Sequence, residues 1–165
     1  MNERTVAAFH ESGHAVIALA MGFKVVRVAV DYSGGGECAA NFERETISMM
    51  QTAAKLCFLL GGPAAAARVE GMDVDENDPR NAVDFAQIRK LVAEYHAEHE
   101  DFTPADPLKS GFYSLGKKRA SEILARCWPA VCELARELVR AGNVSGDAAA
   151  LIYANAPELT FRSTP

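Results

Sequence analysis

Residues 10–14 read His-Glu-Ser-Gly-His within a stretch of helical periodicity, and this pairing constrains the chain more than any other feature. Val6, Phe9, Gly13, Val16, Ile17 and Ala20 recur at spacings of three and four, which predicts a helix over residues 4–21, stopped by Gly22. Positions i and i+4 of a helix lie on one face about one turn apart, so both imidazoles can reach a single metal ion. His10 and His14 share their side with Ile17 and Met21, which are expected to face inward. Two neutral histidines on a buried face need partners, and a metal supplies one for both. Glu11 sits beside them, placed to hold a water or take its proton. The competing reading is a helix with a polar stripe and two satisfied histidines. Chance alone puts the pattern in on the order of one chain per few hundred of this size.

The two histidines leave a catalytic ion short of a third protein ligand. The extension HExxHxxGxxH fails, because Ile17 and Ala20 stand where glycine and histidine would be. Glu37, at a distance where a following helix could present a carboxylate, falls in a glycine-rich hairpin instead. Two aspartates farther on compete. Asp78 precedes Pro79, so its natural role is to cap a helix. Asp84 shares a helical face with Ile88, Leu91 and Tyr95, and a carboxylate aimed inward from an apolar face is costly unless paired or bound to metal. Asp84 is therefore the favoured ligand and Asp78 its rival; a salt bridge from Asp84 to Arg68 or Arg80 is the purely structural alternative.

The rest of the chain predicts an α+β fold, mainly helical: the HExxH helix packed on a helical bundle with a small β-hairpin or sheet. Phe23–Tyr32 is valine-rich and partly alternating, hence a strand. Ser33–Gly36 is a turn, and Glu37–Glu43 returns as a weaker strand. Ser48–Leu60 reads as a core helix, punctuated by Gly61-Gly62-Pro63, with a short helix Ala64–Glu70 after it. A helix led by Asp78-Pro79 runs to about Glu98. Asp101–Gly116, with two prolines and two glycines, reads as a long loop or lid. Lys117–Ala141 is a helix kinked or split at Pro129, and Ala148–Ala154 a last short one. The strand Val25–Val30 is either an ordinary core strand or an edge for an extended peptide. His96 and His99, in a densely charged run, read as solvated surface.

The 165 residues suit a single domain, residues 1–165, with a core of its own. A formal net charge of -5 argues against a nucleic-acid partner bound through phosphate neutralisation. No apolar run reaches the roughly 18 residues of a membrane span, and no secretory signal is evident. The four cysteines form no CxxC pair, so free thiols in a cytoplasmic protein are the simplest expectation.

Three stretches together resemble the peptidase domain of the membrane-anchored AAA+ zinc proteases of the FtsH type. HESGHAVIALAMGFKVVRVAV is similar to that family's HEAGHA helix and the valine-rich strand after it. LLGGPAAAARVEG at 59–71 resembles its GGRxAE segment, and NDPRNAVDFAQIRKLV at 77–92 takes the place of its third-ligand helix. The resemblance implies zinc on His10, His14 and an aspartate, with Glu11 as catalytic base. The family's Asn-Asp pair points to Asn77-Asp78, whereas the distance from the GG segment lies closer to Asp84. No GxxxxGK[ST] phosphate loop and no membrane anchor occur, and Ala67 stands where the family usually has glutamate.

These residues lead to a stand-alone zinc peptidase. Zinc polarises the scissile carbonyl and lowers the pKa of a bound water to roughly 7, and Glu11 takes its proton. The expected substrate is unfolded or flexible polypeptide, and a homo-oligomer or a partner ATPase is compatible with the resemblance. The alternative is a non-catalytic zinc-binding adaptor built on a peptidase fold. A zinc deaminase would want a PCxxC motif, which is missing.

Overall fold

A computed structural model describes residues 1–42, 49–99 and 104–159. Glu43, Ser48 and residues 101–103, where some expected boundaries fall, lie outside them. Among the described residues six α-helices surround one three-stranded antiparallel sheet, a mainly helical α+β arrangement.

Helix α1 spans Glu3–Ala20. Asn2 starts it by accepting a hydrogen bond from the Thr5 N–H at 2.8 Å, and Gly22, at φ 78°, turns the chain out of it. Strand β1 (Lys24–Val30) follows, then β2 (Gly36–Asn41), joined by a turn in which Asp31 accepts from the Ser33 and Gly35 N–H groups. Helix α2 (Met49–Glu70) packs along α1, and α3 (Ala82–His99) follows a one-turn 3-10 helix at Pro79–Asn81. Helices α4 (Gly111–Arg126) and α5 (Trp128–Ala141), the short strand β3 (Asn143–Ser145) and α6 (Gly146–Asn155) complete the fold. The core is shared by Val16 and Ile17 of α1, Val28 of β1, Leu56 and Leu60 of α2, Ile88 of α3 and Leu134 and Leu138 of α5.

Some expectations need correction, and two left open, at β1 and at Pro129, are decided. Gly61-Gly62-Pro63 does not end a helix: α2 runs through all three. Leu56, Leu59, Leu60 and Ala65 are buried on either side of the break. That shared burial outweighs the local cost of two glycines and a missing donor. Strand β1 is central rather than an edge, because β3 pairs with it through Arg27, Val28 and Ala29. Among the described residues no strand pairs with the outer side of β2, the edge strand beside α1. The described part of the expected lid is folded into the helical layer. Pro107–Lys109 forms a 3-10 turn with Leu108 buried, and Ser110 caps α4 by accepting from the Tyr113 N–H at 3.1 Å. His96 is buried, only 3 % exposed, because α3 turns it inward beside Val92; His99 remains exposed. At Pro129 the chain splits: Cys127 separates α4 from α5, and the proline sits in the first turn of α5, where its missing N–H costs nothing.

Candidate metal centre

Three helices meet at the site. Helix α1 supplies His10, Glu11 and His14, α3 supplies Asp84 in its first turn, and α2 closes the back with Phe58 and Gly62. The two helices α1 and α2 approach so closely because glycine faces glycine: a Cβ on Gly13 would lie 2.2 Å from the Gly61 carbonyl oxygen.

His10 Nε2 lies 2.9 Å from Asp84 Oδ2 and 3.1 Å from His14 Nε2, and His14 Nε2 lies 3.4 Å from Asp84 Oδ1. Ligand atoms on a tetrahedral ion with bonds of about 2.0–2.1 Å are roughly 3.3 Å apart. The two imidazole nitrogens stand at about that separation, and each has a different oxygen of the Asp84 carboxylate at similar range, so the ligand atoms of all three residues lie within 4.8 Å of one another. His14 Nδ1–H donates to the Phe58 carbonyl at 2.7 Å, which fixes the tautomer and leaves the Nε2 lone pair directed at the centre. Gly62 marks the same space from the other side. A Cβ there would lie 2.3 Å from His14 Nε2 and 2.5 Å from His10 Nε2, about a metal–nitrogen bond length from both. His10, His14 and Asp84 thus form a group that can hold a metal ion, and the cradle Gly62 leaves open fits it.

Electrostatics agree with this geometry. Burial would raise the Asp84 carboxyl, but hydrogen bonds from both rings hold it well below the ordinary carboxylate range. Burial depresses His10, while for His14 the hydrogen bond and charge of Asp84 overcome burial and raise it. Two rings this close cannot both be charged, and Asp84 stabilises one proton between them, which a divalent cation would replace. Burial pushes the Glu11 carboxyl up to about 7, against the opposing pull of His14 and with the charges of Asp84 and Glu37 adding to it. Glu11 is 7 % exposed and accepts no hydrogen bond among the described residues. Its side chain lies against Gly36 of β2, where a Cβ would come within 2.6 Å of Oε1.

Asp78 takes no part in the cluster. It caps the 3-10 turn through the Arg80 N–H at 2.9 Å and pairs with the Arg80 guanidinium, which also reaches Glu70 at 3.0 Å. Arg68 stacks over Trp128, so neither arginine pairs with Asp84. The Phe58 carbonyl, Gly62 and Gly36 were not singled out in the sequence. A backbone acceptor leaves no residue signature, but two adjacent glycines inside an otherwise strong helix are a readable sign of close approach.

The centre opens into a cleft of about 680 Å³ between α1, β2, the end of α2 and the loop before α3. That volume suits a ligand of drug-like or short-peptide size. Cys38 of β2 also lines it, but burial together with Glu11 and Glu37 drives its thiol far up, so it is no thiolate nucleophile at neutral pH. Among the described residues no helix is long and apolar enough to cross a membrane. Comparison with models of known protein families finds no match, and a search of curated proteins finds no relative.

Proposed function

We propose that the chain is a zinc-dependent peptidase. The observation that carries this reading is the grouping of His10, His14 and Asp84, whose ligand atoms lie within 4.8 Å of one another, with the buried Glu11 carboxyl beside them in an open cleft. Two imidazoles and one carboxylate are a donor set that suits zinc and leaves a position for water or substrate. The resemblance of HESGH and its flanking segments to FtsH-type peptidase domains supports the same choice.

When bound, zinc supplies a positive charge that polarises a carbonyl oxygen and acidifies a water. His10, His14 and Asp84 hold it, and the Phe58 carbonyl keeps the His14 ring in its ligating orientation. Glu11 accepts a proton from the attacking water and returns it to the departing amine; a carboxyl poised near neutral pH suits both directions. The outer edge of β2 borders the cleft through Gly36, Glu37 and Cys38, so an extended polypeptide can align by strand pairing. Flexible or unfolded chain is therefore the substrate class.

The test is Glu11→Gln in zinc-loaded protein, assayed on an unfolded protein such as reduced casein. Cleavage by the parent and loss of about a hundredfold or more in the variant, with zinc retained, is expected. Cleavage at the parent rate by the variant removes Glu11 from the chemistry. Tight zinc binding without cleavage by the parent favours the adaptor role.

A further inference from the structure

Resting on the reading of the cleft as a polypeptide site, we infer that it selects chains carrying lysine or arginine near the bond held at the centre. Among the described residues, seven carboxylates besides Glu11 line the cleft against a single guanidinium, Arg80. That guanidinium is already engaged by Asp78 and Glu70, and so offers nothing to an acidic ligand. Glu37 has a partner in Arg27, outside the cleft, with both side chains more than half exposed. Glu3, Asp73 and Asp75 line the cleft and make no ion pair among the described residues. Bound zinc would offset only two of the negative charges.

A second feature points to a ligand independently of this charge. Glu11, 7 % exposed and without a hydrogen-bond partner among the described residues, lines the same cleft, so a mostly buried carboxyl there is open to a donor from whatever the cleft holds. The rim is also not uniformly polar. Met72 and Val83 line it while 56 % and 71 % exposed, next in sequence to Asp73 and Asp84. Lysine and arginine combine an apolar stem with a cationic head. Such a side chain can lay its stem on Met72 or Val83 and bring its charge to Asp73 or Asp75. An acidic side chain meets only repulsion there, and a small neutral one forgoes both contacts. In a concave cleft the field of these carboxylates is focused rather than dissipated.

The experiment uses the full chain carrying Glu11→Gln, loaded with zinc. Fluorescein-labelled unstructured peptides, identical except for lysine, alanine or glutamate at one central position, are titrated by fluorescence anisotropy. The lysine peptide is expected to bind about tenfold more tightly than the alanine peptide, and the glutamate peptide most weakly. The preference should shrink as salt is added. It should fall in the double variant Asp73→Asn, Asp75→Asn and persist in Asp147→Asn, which changes the same kind of charge on α6, away from the cleft. Equal binding of the three peptides, no binding of any, or an equal loss in Asp147→Asn overturns the inference. Cleavage by the parent protein is scored separately on the same peptides. Lysine-selective binding without cleavage leaves the charge preference standing and removes the peptidase, whereas cleavage indifferent to the central residue does the reverse.

Discussion

Gly62 and His14 approach closely because glycine has no methyl group: a Cβ on Gly62 would come within 2.3 Å of His14 Nε2. Glycine inside a helix costs about 1 kcal/mol relative to alanine, and α2 accepts that cost in its interior. The space gained lies against both imidazole nitrogens, on the side an ion held by them would need. Gly62→Ala should therefore weaken zinc binding by about a hundredfold or more while far-UV circular dichroism stays helical. Competition against a chromophoric chelator gives the affinity, and parent-like binding by the variant would show that the ion sits elsewhere.

The identity of the carboxylate ligand can be read from stability alone. A ligand that binds only the folded state stabilises it by about 2.7 kcal/mol at a hundred times its Kd. For a chain of this length that is a rise in Tm of roughly 5–10 °C. Added zinc should raise the Tm of the parent and of Asp78→Ala, since Asp78 is occupied with Arg80. It should leave Asp84→Ala and His14→Ala nearly unmoved. Loss of the zinc-induced shift in Asp78→Ala, with the shift kept in Asp84→Ala, would reverse the assignment.

Glu11 makes the metal-free protein sensitive to pH in a defined direction. Its carboxyl titrates at about 7 in the folded chain against an ordinary value of 4.5, because burial penalises the charge. A raised carboxyl pKa means that the unfolded chain loses its proton first. Stability from this group is therefore complete below about pH 4.5 and is lost as pH rises to about 7. The loss is about 3 kcal/mol. Glu11→Gln cannot ionise, so its stability relative to the parent should climb across that window and level off above it. Urea unfolding of the metal-free proteins at pH 5 and pH 8 measures this; parallel pH profiles for the two proteins would mean that Glu11 is solvated.

The grouping of His10, His14 and Asp84 was legible because its members carried signals in the sequence. His10 and His14 had both the i, i+4 spacing and an apolar side in common with Ile17. Asp84 had an inward face shared with Ile88, which is fully buried. The elements that were misread had local signals pointing against the tertiary outcome. Gly61-Gly62-Pro63 carries breaker chemistry, yet α2 continues through it, packed against α1 and α4. Strand β3 is three residues long, too short to show alternation, and exists because Val144 finds Val28 across the sheet. The start of α4 was hidden among prolines, although Ser110 ahead of Tyr113 was a cap in plain view. His96 looked like surface because its neighbours in sequence are charged; only the register of α3 turns it inward.

Glycine at position 13, the fourth residue of HESGH, has a structural role separable from the metal. Its Cα rests on the backbone of α2, and a Cβ would lie 2.2 Å from the Gly61 carbonyl oxygen and 2.6 Å from the Ala65 Cβ. Backbone cannot rotate away as a side-chain tip can, so Gly13→Ala must push α1 and α2 apart along their shared interface. Overpacking of this kind costs about 3 kcal/mol, well above the helix propensity that alanine adds. The variant should lose that stability in urea unfolding of the metal-free protein, where the histidines bind nothing. It should also bind zinc more weakly, because the carbonyl of Phe58 and the ring of His14 sit on the two helices being separated. Replacing Ala7 of the same helix, which is only partly buried, with serine provides the comparison. A Gly13→Ala protein as stable as that control would mean that the crossing of α1 and α2 is looser than a glycine–glycine contact.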